Sequence, residues 1–156
     1  MTPQQIALVQ SSYSRLGSEK TRIGTILLAR LFAADPLVRG LFKNKIVDHA
    51  PIFNGALALV VKGLSDTASL LPMVSALGCR HAIYGVEARY YATAGGALVG
   101  ALGDVMGADF TPEVRDAWIA AYGLLSTTMQ AAGDDWLAAA RMAAELDGAA
   151  TKRTAA

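Results

Sequence analysis

The sequence predicts an all-helical fold, on three observations. Apolar residues recur every three or four positions along nearly the whole chain, the period of a helix buried on one face. No segment alternates in twos between turn signals, as a half-buried strand would. Helix-start signatures also recur. Thr2-Pro3-Gln4-Gln5, Asp35-Pro36 and Thr111-Pro112-Glu113 each place a capping side chain ahead of a first-turn proline.

The elements follow in order. After the Thr2 cap a helix reaches about Leu16, with Ile6, Val9, Tyr13 and Leu16 inward. Gly17-Ser18 ends it and starts the next, about Glu19–Ala33, whose apolar face is Ile23, Leu27, Leu28, Leu31 and Phe32. Asp35-Pro36 opens a short turn of helix, Leu37–Phe42, and a short polar corner, Lys43–Asp48, comes next. Pro51–Leu64 carries the stripe Phe53, Ala56, Leu57, Val60, Val61, Leu64, and Ser65–Ser69 reads as a loop. Leu70–Tyr84 is helical and stops near Gly85. A long helix spans about Glu87–Met106, with glycines at 95, 96, 100 and 103 read as tight helix packing. Beyond Gly107 a helix starts at Thr111 and carries Val114, Trp118, Ala121, Tyr122, Leu125 and Met129, with Trp118 and Tyr122 expected to pack it against the first helix. Gly133-Asp134-Asp135 is expected to interrupt it before a short helix, Trp136–Leu146, and a frayed tail from Gly148. The total is seven to eight helices in one domain, residues 1–148, with 149–156 a disordered tail.

Composition narrows the function. At 156 residues the chain suits one core, and 53% hydrophobic residues against 17% charged leave apolar volume to spare. A net charge of +1 supplies no global field for nucleic acid or anionic membrane. Cys79 is the single cysteine, which excludes an intrachain disulfide and a cysteine-based metal cluster. The N-terminus has no basic n-region followed by an apolar run, so a cytoplasmic location is expected. The longest uncharged stretch, Ala117–Gly133, falls short of the ~20 apolar residues a span needs.

One residue breaks the apolar pattern with chemistry. His81 shares a stripe with Leu70, Val74, Leu77 and Tyr84, so its imidazole is aimed inward. A buried imidazole is either satisfied by a neighbouring group or ligates something. The catalytic alternatives lack their motifs. There is no Gly-x-Ser-x-Gly turn, no phosphate-binding loop after a strand, and no Glu-x-x-His element for a dicarboxylate metal site. What remains is an inward histidine with aromatic and aliphatic candidates around it, among them Tyr91, Phe42, Phe32 and Leu28, the kind of pocket a haem requires.

The chain resembles the globins over about Pro3–Ala132, closest in flavour to neuroglobin-like and single-domain bacterial haemoglobins. The stretches that carry the resemblance are Gly24-Thr25-Ile26-Leu27-Leu28-Ala29-Arg30-Leu31-Phe32, Asp35-Pro36, Leu41-Phe42, Leu77-Gly78-Cys79-Arg80-His81, Tyr84-Gly85-Val86, and Phe110–Trp118 followed by Tyr122-Gly123. Their order and separation matter more than any one of them. The resemblance implies haem b, with His81 the proximal iron ligand, Phe42 stacked on the porphyrin, and Leu77 one turn before the ligand. Val86 and Tyr91 match proximal-wall positions. Leu28 stands where bacterial haemoglobins often carry a tyrosine.

Two departures bear on function. Counting back from His81, neuroglobin-like spacing puts the distal residue at His49, and myoglobin-like spacing puts it at Ile52 with Ala56 one turn on. If His49 reaches the iron, six-coordination is implied. If not, the distal wall is Leu28, Ile52, Phe53 and Ala56, and oxygen should bind weakly. On the proximal side Tyr91 keeps its place, but Gly133 stands where flavohaemoglobin-like globins hold an acid, beside Asp134 and Asp135. Arg80 and Arg89 are candidates for the propionates.

The resemblance therefore implies a ligand-binding haem protein that takes oxygen, carbon monoxide or nitric oxide reversibly, as a monomer or homodimer, in oxygen binding or transport. The alternatives are a nitric oxide dioxygenase or peroxidase served by a separate reductase, a gas sensor acting through a partner protein, or a structural helical protein in which His81 is merely buried.

Overall fold

The computed structural model describes residues 1–42 and 46–154. Six α-helices, α1 (Pro3–Arg15), α2 (Lys20–Ala34), α3 (Ile46–Gly63), α4 (Thr67–Ile83), α5 (Ala88–Met106) and α6 (Pro112–Thr154), are joined by 3₁₀ turns at Gly17–Glu19, Pro36–Leu41 and Gly107–Asp109. No strand occurs among the described residues. The all-helical expectation holds. The predicted caps are made: Thr2 and Gln5 form a reciprocal capping box, and Asp35 Oδ1 accepts from the Leu37 N–H at 3.0 Å.

Three boundaries differ from the sequence expectation. The helix expected from Pro51 begins at Ile46, so most of the expected polar corner is helix, and Lys43–Lys45 lie outside the described residues. As a first-turn residue Pro51 would open the helix, but it sits inside α3. There it removes one hydrogen bond, while Asp48 favours the first turn by facing the positive end of the helix dipole. The loop expected at Ser65–Ser69 is mostly helix, because Asp66 Oδ1 accepts from the Ser69 N–H at 3.2 Å and caps α4. The break expected at Gly133-Asp134-Asp135 is absent. Gly133 is buried against α4, where a Cβ would lie 3.1 Å from Ala82 Cβ, so it permits a close approach and α6 runs straight through.

The core gathers Val9 and Tyr13 from α1, Ile23 to Phe32 from α2, Leu57 to Leu64 from α3, Leu98 to Met106 from α5 and Val114 to Ala121 from α6. Trp118, 2% exposed, donates to Ser12 Oγ at 3.1 Å and so joins α6 to α1. Tyr122, expected on the same interface, turns to α5 instead. Its hydroxyl donates to the Tyr91 carbonyl at 2.5 Å, and its ring fills the space above Gly95, where a Cβ would lie 2.6 Å from it. The glycines of α5 thus serve helix packing: Gly100 lies under the Arg30 guanidinium, itself paired with Asp104.

Candidate haem site

Two helices carry the histidines, and each is anchored on a different neighbour. α3 packs along α2 and α4 along α6. Both crossings bring backbone onto backbone. At the first, a Cβ on Gly24 would stand 2.5 Å from the Ala50 carbonyl oxygen. Asn54 stitches the same crossing: its Oδ1 accepts from the Gly24 N–H at 2.8 Å and its Nδ2 donates to the Thr21 carbonyl at 2.8 Å. At the second, a Cβ on Gly78 would overlap the Met129 carbonyl. Cys79 Sγ donates to the Ala132 carbonyl at 3.4 Å, so the lone cysteine serves this contact and is no ligand candidate.

His81 lies on α4 three residues past Gly78. Its Nδ1 is 2.9 Å from the Leu77 carbonyl oxygen. A carbonyl can only accept, so Nδ1 carries the proton and Nε2 is left as the lone-pair nitrogen. Burial pushes the His81 pKa below the usual histidine value, against a smaller opposing effect of the Leu77 hydrogen bond and reinforced by the Arg80 charge. The imidazole is therefore neutral at neutral pH, with one nitrogen fixed and the other available. The Tyr91 ring lies 6.2 Å from it, tilted by 34°. Gly85, at φ 81°, turns the chain out of α4, and Val86 N–H donates to the His81 carbonyl at 3.0 Å.

His49 lies in the first turn of α3, next to Ala50 at the glycine crossing. Its ring meets the Phe42 ring edge-on, centroids 5.0 Å apart, and Phe42 meets Phe32 the same way at 5.1 Å. Its Nε2 is buried and has no hydrogen-bond partner. A buried polar nitrogen left in that state costs stability, and such atoms call for an explanation.

The remaining candidates separate clearly. Leu28, Phe32 and Tyr91 are buried, while Phe42, Phe53, Leu77 and Val86 are half-buried. Ala56 is exposed, and Ile52 is 69% exposed, on a different side of α3 from Ala50 and Leu57. Arg80 is exposed. Arg89 is committed elsewhere: it pairs with Glu87 at 3.1 Å and Asp35 at 3.6 Å and donates to the Tyr90 hydroxyl at 2.6 Å. Beside Tyr91, a small cleft is lined by Ala82, Val86, Gln130, Gly133 and Asp134. Asn54 and Gln130 escaped the sequence reading, and Gly78 enters it only within the stretch that resembles the globins. A single amide inside the apolar α3 stripe was a visible signal for the first.

The chain has relatives among known proteins. The globin family model matches residues 25–129. The chain belongs to the globin family. Membership implies haem binding, and the residues present fit it: a buried imidazole with a free nitrogen on α4, and a buried, unpartnered imidazole nitrogen on α3. The flavohaemoprotein of Bordetella parapertussis is 29% identical over 129 residues, which are 81% of this chain and 32% of that protein. The flavohaemoprotein of Rhodopirellula baltica is 33% identical over 101 residues, 62% of this chain and 24% of that one. This globin chain thus spans about a third of the length of the curated relatives it matches. An engineered carbene transferase, derived from a proposed nitric oxide dioxygenase of Rhodothermus marinus, has the same fold. Its TM-score is 0.82 at 23% identity, over 90% of this chain and 99% of that one.

None of the globin's described helices is long and apolar enough to cross a membrane. No group of three or more histidine, cysteine, aspartate or glutamate side chains among the described residues could hold a metal ion by itself.

Proposed function

We propose that this globin binds haem b through His81 and takes a diatomic gas reversibly, in residues 1–148, with 149–156 a tail that plays no part in the pocket. The observation that carries this reading is the fixed tautomer of His81: Nδ1–H is held by the Leu77 carbonyl and Nε2 is free. When bound, the haem iron supplies the coordination position at which oxygen, carbon monoxide or nitric oxide is held. Phe42 offers the ring that packs on the porphyrin, Leu77 lies one turn before His81, and Leu28, Phe32, Phe53, Val86 and Tyr91 supply apolar walls that exclude water.

On the distal side the unpartnered Nε2 favours His49 over Ile52, whose side chain is turned largely to solvent. His49 would serve as sixth ligand or as hydrogen-bond donor to the gas. Among the arginines Arg80 remains the propionate candidate, since Arg89 is engaged by Asp35 and Glu87.

Reversible binding is favoured over turnover by the proximal side. A strongly electron-donating imidazole needs a carboxylate at Nδ1, and there Leu77 offers only a carbonyl. An acid at position 133 would have to push α6 off Ala82 and Gly78. The flavohaemoprotein relatives support a second reading, a nitric oxide dioxygenase working with a separate reductase. We further propose that the protein acts in the cytoplasm.

Haem titration of the purified protein tests the first reading. A Soret band that grows to one haem per chain and is lost in His81→Ala supports it. No band, or a band unchanged in His81→Ala, overturns it. Nitric oxide consumption that continues only with an added reductase would favour the second.

A further inference from the structure

α3 has a third side that neither α2 nor the histidine cluster uses. Ala50, Leu57 and Val61 are buried in the core, and His49, Phe53 and Val60 are half-buried on the histidine side. The outward side runs Asp48, Ile52, Gly55, Leu59, Lys62, the four-three spacing of a single stripe. Between its two charged ends it holds no polar side chain. Ile52 is 69% and Leu59 64% exposed, and the flanking Pro51, Ala56 and Ala58 are exposed too. A surface helix ordinarily places polar residues there, so an apolar outward face needs a covering.

Gly55 stands at the centre of this face. Glycine weakens a helix interior relative to alanine, and here the fold gives no reason for it: a Cβ at Gly55 would meet nothing within 4 Å. By contrast, Gly24, Gly78 and Gly95 each lie under an atom of a neighbouring helix. Gly96 and Gly123 are as open on their own helices; what sets Gly55 apart is its place between the exposed Ile52 and Leu59, where a bare backbone lets a second helix approach closely.

The charges say whose. Asp48 and Lys62 lie seven residues either side of Gly55, and neither has an ion-pair partner among the described residues. If a second copy of α3 lies antiparallel across the first, with the twofold axis at Gly55, Asp48 of each copy meets Lys62 of the other. The same register sets Ile52 against Ala58 and Leu59 against Pro51, a large side chain against a small one each time. We propose that this face is a homodimer contact, in which two copies of α3 cross at Gly55 and are closed at both ends by Asp48–Lys62 pairs. The contact lies away from the His49 side of the helix and does not depend on the ligand-binding reading.

Sedimentation velocity over a concentration series, under reducing conditions so that Cys79 forms no bridge, tests this. The wild-type chain should pass from monomer to dimer. Gly55→Gln, which has open space within its own chain, should weaken the dimer at least tenfold. Lys62→Asp should do the same, and Asp48→Lys combined with Lys62→Asp should restore it. Thermal melting checks that each variant is folded, and Gly55→Gln carries the test if the charge variants are not. A wild-type chain that stays monomeric, or a dimer indifferent to Gly55→Gln, overturns the proposal; the first result would leave the face to a different protein.

Discussion

The two histidines present opposite solutions to one problem. His81 is fully provided for: its helix lies backbone-to-backbone on α6, its Nδ1 proton is held by Leu77, and only Nε2 is left open. His49 is also held in place, through the Gly24–Ala50 contact and the Asn54 bridge, yet its own Nε2 is buried with nothing to bond. Rigid backbone therefore serves both sides, but hydrogen bonding serves one. On the proposed haem-binding reading, the idle nitrogen marks the side where affinity is adjustable, and the imidazole tied to the main chain marks the side where the iron would be held.

The largest break in this contrast should come from His81→Ala, which removes the proposed proximal ligand. Loss of the Soret band on haem titration should be nearly complete. Gly78→Val strikes the proximal anchor and leaves the imidazole in place. A side chain there meets the Met129 backbone, which cannot move aside alone, so a loss of about 3 kcal/mol in urea unfolding is expected. The distal anchor is weaker, being two hydrogen bonds from one amide. Asn54→Ala should cost about 1–2 kcal/mol, and equal or greater loss than at Gly78 would reverse the ranking.

His49→Leu sharpens the comparison by changing sign. It removes an unsatisfied buried nitrogen, so the haem-free protein should gain about 1 kcal/mol of stability. With haem, the ferrous spectrum should lose any low-spin character. A destabilised haem-free variant would mean the nitrogen is paired after all.

The smallest effect is on acid stability. The folded pKa of His81 lies below its unfolded value, because burial disfavours the charged ring. Above the unfolded value, about 6.5, both states are neutral and His81 costs nothing. As pH falls below it the unfolded chain takes up the proton first, and stability declines until the folded pKa is passed. Melting of the haem-free protein between pH 7.5 and 5 should show that decline, and His81→Leu should flatten it.

How far the sequence revealed this depended on the range of the interaction. Caps are local, and Thr2, Asp35 and Thr111 were legible because side chain and partner lie within three residues. The His81 stripe was legible for the same reason. Glycine was harder. At Gly133 the conformational meaning of the residue suggested a break, whereas its neighbour is on α4, some fifty positions earlier. Pro51 misleads similarly: as a first-turn residue it would open a helix that begins five residues earlier, at Ile46. Tyr122 was placed on the right helix and given the wrong partner, since nothing local distinguishes a residue facing α1 from one facing α5. The distal choice between His49 and Ile52 was open on spacing alone. The two residues differ in which side of α3 they occupy, and that depends on how α2 grips the helix.

The unbroken course of α6 has a practical consequence. Past Gly133 it continues for 21 residues, to Thr154, about 30 Å of helix. The same helix holds α4 where Gly78 and Gly133 meet their neighbours. A reporter or fusion domain joined in helical register after Thr154 would thus be connected to the His81 wall by a strut instead of a slack tether. A load applied there would be carried along α6 to its contacts with α4, the helix that bears His81.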